Sequence, residues 1–229
     1  MYLITLTLMK IYYSNINDHQ IDELLPLVGE ERRARSLRYR FDEDKKRSLL
    51  AHVLLNHALL EGGYDISLPA CPVNDPNGKP RLYHKGEEIH FSLSHSGDYA
   101  VCAISDIPVG IDIEKIDTFK PEIANRFFNP SELKYVADAE SFYRIWTLKE
   151  GYLKAVGMGL KLPLSSFIVS DLDTVSGACI YLNENGTETG LLGKSLITDD
   201  GYALAVTCAK LPPEDLISAC IQVNPLQKT

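Results

Sequence analysis

The 229-residue sequence has no CxxC pair, a single tryptophan and no apolar stretch longer than its first nine residues, "MYLITLTLM". Its five cysteines, Cys71, Cys102, Cys179, Cys208 and Cys220, are an odd number without metal-finger spacing. That sets aside a disulfide scaffold and a structural zinc site, and points to buried thiols in a reducing cytoplasm. The apolar opening has no positive region before it and no small-residue cleavage site after it, and it is too short to cross a bilayer. A strand over 1–14 is expected, neither leader nor anchor, with the natural start at Met1 or Met9. Positive charge is scarce too. The 23 Lys and Arg against 31 Asp and Glu leave a net charge of −8, which argues against a general nucleic-acid binder. With no repeat or low-complexity tract, 45% hydrophobic and 24% charged residues describe a globular chain, long enough for one large domain or two small ones.

What positive charge there is gathers in one place. Arg32, Arg33, Arg35, Arg38, Arg40, Lys45, Lys46 and Arg47 make up over a third of the Lys and Arg. Glu30, Glu31, Asp42, Glu43 and Asp44 accompany them. The stretch is either a solvated helical face or an anion site on an acidic protein. Residues 20–40 read as helix in two pieces broken near Pro26 and Gly29. Residues 42–61 form a strong helix with Leu49, Leu50, Val53, Leu54, Ala58 and Leu59 on one face and Gly62-Gly63 at its end. "NDPNGKPRL" is a turn, and "IHFSLSH" and "YAVCAIS" alternate as a hairpin around "SHSGD". "VGIDIEKI" is the next strand, followed by helices over 121–137 and 141–157. Strands fill the remainder, from "FIVSDL" through "ACIYLNENG" and "SLITDDGYALAVTCA" to "ISACIQV". Hairpins without regular βαβ alternation make the class α+β, with a boundary near 106–109.

Two stretches carry chemistry. In "VGIDIEKI", period 2 puts Asp112 and Glu114 on one face and Ile111 and Ile113 on the other. Adjacent carboxylates repel unless a cation lies between them, or unless the face is simply solvated. In "FYRIWTLKEGYLKAVGMGL", residues 142–160, Ile145, Leu148, Tyr152, Leu153 and Val156 share one helical face. Trp146, Glu150 and Lys154, spaced by four, form a second stripe, while Lys149 falls inside the apolar arc. Ser141 is the expected N-cap, and Gly157 and Gly159 stop the helix. Glu150 and Lys154 form either a surface ion pair worth ~0.3–0.5 kcal/mol or part of a cleft. Asp112, Glu114 and Glu150 together would be hard oxygen ligands for Mg²⁺. Ser94 and His95, adjacent on a strand, point to opposite faces and cannot form a nucleophilic dyad. A histidine beside a Ser-Gly turn can instead donate to a phosphate, or be structural.

In order and spacing, "NGKPRL", "FSLSHSGDYAV", "VGIDIEKI" and "FYRIWTLKEGYLKAVGMGL" resemble the motifs of 4′-phosphopantetheinyl transferases. The nearest likeness is to the surfactin-synthetase-type class, monomeric enzymes of two similar halves. The resemblance spans nearly the whole chain, and "GIDIE" followed by W-x-x-K-E-x-x-x-K-A is highly specific. It implies two α+β halves, 1–107 and 108–229, packed pseudo-symmetrically with the active site between them. The first would contact the nucleotide of coenzyme A, and the second would carry the metal and catalytic carboxylates. The resemblance further implies Asp112, Glu114 and Glu150 as ligands of Mg²⁺ or Mn²⁺, and Lys154 beside the pyrophosphate. It places Gly78, Lys79 and Pro80 as a coenzyme A contact, Ser94 and His95 as a phosphate-binding pair, and Arg32, Arg35 and Arg47 on the nucleotide. Some members carry an acidic residue between the strand carboxylates. Here that residue is Ile113, so waters and pyrophosphate would complete the metal's shell.

The implied reaction transfers 4′-phosphopantetheine to a serine of an apo acyl or peptidyl carrier protein and releases 3′,5′-ADP. Mg²⁺ would offset charge on the phosphates, and Lys154 would do so on the departing one. Glu150 either takes the serine proton or chiefly holds the metal. Trp146 packs and orients its helix, and the role of Lys149 stays open. The expected partners are carriers of fatty-acid, polyketide or peptide synthesis, with no nucleic acid and no membrane. Two other readings stand beside this one: a Mg²⁺-dependent hydrolase that cleaves coenzyme A with water, and a coenzyme A-binding regulator without catalysis.

Overall fold

Period-2 and helical stretches alternate irregularly along the chain, and the elements follow them. The structure, a computed structural model, describes residues 9–119, 121–211, 216 and 219–224. The first stretch holds β1 (Lys10–Asn15), α1 (Ile21–Leu24), α2 (Glu30–Ser36) and α3 (Asp42–Glu61). Next come β2 (Val73–Asn74), β3 (Pro80–His84), β4 (Glu87–Ser96), β5 (Tyr99–Ser105) and β6 (Val109–Lys115). Two helices follow, α4 (Pro121–Phe127) and α5 (Ala139–Val156). The remaining strands are β7 (Phe167–Ser170), β8 (Ala178–Asn183), β9 (Glu188–Ile197), β10 (Tyr202–Cys208) and β11 (Cys220–Gln222).

The class is α+β, with two sheets. One has the order β11-β1-β5-β4-β3-β2 and the other β6-β10-β9-β8-β7. Helix α3 packs its leucines on the first sheet, and α5 packs Phe142, Ile145 and Leu148 on the second. A third apolar cluster, including Ile11, Val101, Ile111 and Val206, lies where the sheets meet. Each cluster buries one thiol: Cys102, Cys179 and Cys208 respectively. Strand β11 returns to the first sheet and pairs in parallel with β1. Among the described residues no helix is long and apolar enough to cross a membrane.

Several expected boundaries shift. The strand expected at 1–14 runs over Lys10–Asn15, and residues 1–8 of that expectation lie outside the described residues. The same holds for 217–218 of "ISACIQV". The helix expected over 121–137 ends at Phe127, and only a short 3₁₀ turn, Leu133–Tyr135, follows. Pro130 keeps Asn129 out of the helical region, and the Glu132 side chain takes up the Asn129 amide at 2.7 Å. The expected N-cap Ser141 lies inside α5. Asp138 is the cap, accepting from the Ser141 amide, while the Ser141 side chain reaches back in a reciprocal capping box.

Strand β6 decides how the halves join. Among the described residues it is an edge of its sheet, bonded to β10 on one side only, and an edge strand leaves a row of amides unpaired. Serines projecting from β4 at alternate positions meet that row. The amides of Ile111, Ile113 and Lys115 donate to the hydroxyls of Ser92, Ser94 and Ser96 at 3.0, 3.4 and 3.0 Å. Above β6, helix α5 lies in backbone contact. A Cβ built on Gly110 would stand 1.9 Å from the Gly151 carbonyl oxygen and 2.5 Å from the Ala155 nitrogen. Only glycine fits there, and that closeness brings Glu150 and Lys154 down to the strand. Gly110→Ala is therefore expected to cost stability at the upper end of ~1–3 kcal/mol or beyond, measured by urea denaturation. A variant as stable as the parent would contradict this packing.

Candidate active site

The face of β6 beneath α5 carries Asp112 and Glu114, as period 2 requires. Lys154 Nζ donates to Asp112 Oδ1 at 2.7 Å, and so does Ser94 Oγ at 2.7 Å. Asp112 is 3% exposed, and its other oxygen, Oδ2, is buried with no hydrogen-bond partner among the described residues. Glu114 accepts from Ser96 Oγ at 2.7 Å. Burial raises the pKa of Glu114, and the Asp112 carboxylate adds to the rise. Glu150 is raised for the same two reasons, with Lys154 opposing. An unpartnered buried acceptor is costly, and three neighbouring carboxylates with one ammonium, that of Lys154, form a site short of positive charge.

Two lobes of one cleft meet here, sharing Leu93, Glu150 and Lys154. The larger, about 400 Å³, is lined by Arg32 and Arg35 of α2, by Ser94 and His95 of β4, and by Asp112 and Glu114. Burial and the neighbouring Arg35 draw the Arg32 pKa down, so an anion here would relieve two crowded guanidinium groups. Burial and Lys154 lower His95 as well. The smaller lobe, about 260 Å³, is lined by Gly78, Lys79, Pro80, Phe91, Leu93 and Leu153, among others. Asp75 shapes its turn, accepting from the amides of Asn77 and Lys79 and from Arg81, with Gly78 at φ +88°. Lys79 Nζ donates to the Ala155 carbonyl at 2.9 Å, linking this turn to the end of α5. Burial, with Arg81 nearby, brings the Lys79 pKa down to about 8.

The cleft thus gathers all but one of the site residues that the resemblance implied. The exception is Arg47, which lines neither lobe; its guanidinium donates to the Gly97 carbonyl and to Asp44. Sequence reasoning passed over His52, Tyr39 and Ser48, which line the larger lobe. His52 is pushed down to about 3 by burial and by Arg32. An imidazole on a leucine-rich helix, close to the basic stretch, was its one signal. Trp146 packs on Phe127, Phe128 and Phe142 and also lines the larger lobe.

Among the described residues no three His, Cys, Asp or Glu side chains are drawn together closely enough to hold a metal ion. Asp112 accepts from Lys154 and Ser94, and Glu114 from Ser96. The donor set still fits a hard divalent ion. Its oxygens are carboxylate oxygens, the group is over-negative, and Asp112 Oδ2 is open.

Lys149 points away from the cleft. Its ammonium and the Glu132 carboxylate are 0% exposed and 2.7 Å apart. Nζ also donates to the carbonyls of Leu164 and Phe167 at 2.8 Å each, so all three of its donors are used. Glu132 further accepts from the Val169 amide at 2.6 Å. The pair ties the middle of α5 to β7, one residue from Glu150.

A cationic lobe and an apolar lobe meeting at clustered carboxylates define a phosphate-handling enzyme cleft between two α+β halves. Comparison with known proteins specifies which. Residues 15–106 match the family described as "4'-phosphopantetheinyl transferase, N-terminal", and 108–207 match the "4'-phosphopantetheinyl transferase superfamily". The chain is 36% identical over 202 residues to 4′-phosphopantetheinyl transferase psf-1 of Bacillus pumilus, covering 84% of this chain and 83% of that one. It is 32% identical over 221 residues to 4′-phosphopantetheinyl transferase Sfp of Bacillus subtilis (strain 168), covering 91% and 96%. With 4′-phosphopantetheinyl transferase ffp of Bacillus subtilis, identity is 34% over 224 residues, covering 91% and 96%. The chain belongs to the Sfp-type 4′-phosphopantetheinyl transferases, enzymes that move phosphopantetheine from coenzyme A to carrier proteins.

Two outcomes test the electrostatics. Lys149→Met leaves Glu132 buried without its partner and is expected to cost about 3–5 kcal/mol. Adding Glu132→Gln should return part of that loss in urea melts, and an additive double variant would contradict the pairing. Glu150 behaves differently. Because its folded pKa lies above the unfolded value, the folded state holds the proton more tightly, and stability falls as pH rises through that window. Glu150→Gln should therefore melt higher than the parent at pH 7, by roughly 2–4 °C for each kcal/mol of repulsion relieved, and should lose that pH-dependent fall.

Proposed function

We propose that this chain loads apo acyl or peptidyl carrier proteins, placing 4′-phosphopantetheine on a carrier serine and releasing 3′,5′-ADP. The observation that carries this reading is the buried, partnerless Asp112 Oδ2, next to Lys154 and among Glu114 and Glu150. Coenzyme A offers what the cleft lacks: phosphates for Arg32, Arg35 and His95, and a pyrophosphate for Lys154 and the metal. In this reading residues 1–107 chiefly contact coenzyme A, through Arg32, Arg35 and the Gly78-Lys79-Pro80 turn. Residues 108–229 supply the acidic cluster. Arg47 holds the Gly97 carbonyl, two residues along the chain from His95.

Asp112, Glu114 and Glu150 would hold a divalent cation, Mg²⁺ or Mn²⁺. When bound, it offsets the charge of pyrophosphate and carboxylates. The serine oxygen bonds to the β-phosphorus. The bridging P–O bond breaks with its electron pair leaving on the α-phosphate, and the hydroxyl proton passes to Glu150. The raised pKa of Glu150, from burial and Asp112, suits a proton acceptor. Lys154, beside Asp112, would neutralise the departing oxygen.

Mass spectrometry of apo-carriers from fatty-acid, polyketide and peptide systems, incubated with coenzyme A and Mg²⁺, tests this. The expected result is one phosphopantetheine per carrier, matched by 3′,5′-ADP, and no modification of a carrier whose serine is replaced by alanine. Release of 3′,5′-ADP at full rate without any carrier would instead establish a hydrolase.

A further inference from the structure

We propose that Ser94 and Ser96 are positioning residues for the metal site, holding the Asp112 and Glu114 carboxylates from across the junction of the two sheets. The inference rests on the metal reading given above. All three serines of β4 satisfy an edge amide of β6, each at a separation of nineteen residues. Two of them do a second thing. Ser94 Oγ donates its proton to Asp112 Oδ1 and Ser96 Oγ to Glu114 Oε2, both at 2.7 Å. A hydroxyl has one proton and two lone pairs. Here the lone pairs accept from the strand and the proton goes to the carboxylate on the residue just before the amide it serves.

Ser94 bonds the Ile113 amide and the Asp112 carboxylate, while Ser96 bonds the Lys115 amide and the Glu114 carboxylate. One repeating unit of chemistry, two residues long, therefore sets backbone and side chain together. Its consequence for Asp112 is specific. Ser94 and Lys154 both occupy Oδ1, which leaves Oδ2 as the open oxygen. The Ser94 proton is committed to Asp112, so it is not available to a phosphate. Where the sequence resemblance paired Ser94 with His95 on phosphate, the geometry gives Ser94 to the carboxylate and leaves His95 to the anion. The joint between the halves and the orientation of the metal carboxylates are thus the same set of bonds.

Ser92 supplies the internal control. It accepts from the Ile111 amide at 3.0 Å as the others do from theirs, and the residue before that amide is Gly110, which has no side chain to hold. If the serines only fasten the sheets, Ser92→Ala, Ser94→Ala and Ser96→Ala should behave alike. If two of them position carboxylates, they should differ in metal affinity.

The test is a titration of Mn²⁺ in the presence of coenzyme A, followed by the electron paramagnetic resonance signal of the free ion, with melting temperatures in parallel. Ser94→Ala and Ser96→Ala are expected to weaken Mn²⁺ binding by about 10–100-fold, the range typical of groups that orient metal ligands. Ser92→Ala should lower the melting temperature with Mn²⁺ affinity near that of the parent. Should Ser96→Ala fail to fold, Ser96→Thr and Ser96→Val, which match in shape, should separate on the hydroxyl, with Thr binding Mn²⁺ as the parent does and Val weakly. Equal Mn²⁺ affinities for all three alanine variants, or for the Thr and Val pair, would overturn the serine inference and leave the metal reading standing. A parent enzyme that binds no Mn²⁺ with coenzyme A present would overturn both.

Discussion

Strand β6 has a partner on one side only, and much of the molecule is arranged around that fact. Its outward amides meet three serine hydroxyls from the other half, where a ladder would have offered carbonyls. A side-chain staple of this kind joins the two sheets without merging them into one, because the bonds leave from a sheet face and end on a sheet edge. On the remaining face of β6, Gly110 and Gly151 let α5 settle at backbone distance. With the strand fixed below and the helix fixed above, Asp112, Glu114, Glu150 and Lys154 have little freedom in where they meet. Each of these bonds is worth only ~0.5–1.5 kcal/mol, so their value lies in direction more than in strength.

Charge is divided to match. An acidic chain keeps Arg32 and Arg35 at one end of the cleft and its carboxylates at the junction of the lobes. Each group is uncomfortable without a ligand: the guanidiniums crowd one another, and burial and neighbouring charge raise Glu114 and Glu150. A ligand carrying phosphates together with a divalent cation answers both demands at once. Lys149 and Glu132 take no part in that exchange. Their charges are fully paired and sealed from water, and they fix α5 from its far side.

The local part of this was legible in the sequence. Period 2 in "VGIDIEKI" put Asp112 and Glu114 on one face, and spacing by four put Glu150 and Lys154 on one stripe. The specificity of these stretches identified the family across most of the chain. What sequence did not show depends on contacts between distant segments. Lys149 was marked as odd in an apolar arc, but its partner Glu132 sits in a turn made by Pro130, where a helix was expected. Arg47 was grouped with Arg32 and Arg35 by proximity along the chain, whereas the turn of α3 directs it to Asp44 and Gly97. Of the alternate serines of β4, only Ser94 was singled out, and the resemblance put it on a phosphate. Their role appears only when β6 arrives as an edge without a neighbour.

The central claim is that this joint presents Asp112 Oδ2 to a divalent cation shared with the pyrophosphate of coenzyme A. Anomalous diffraction from crystals grown with coenzyme A and Mn²⁺ addresses it directly. The account predicts a Mn²⁺ peak bonded to Asp112 Oδ2 and to the pyrophosphate, with Ser94 still on Oδ1. Coenzyme A seated in the cleft with Mn²⁺ elsewhere, and Asp112 Oδ2 bonded only to protein, would contradict it.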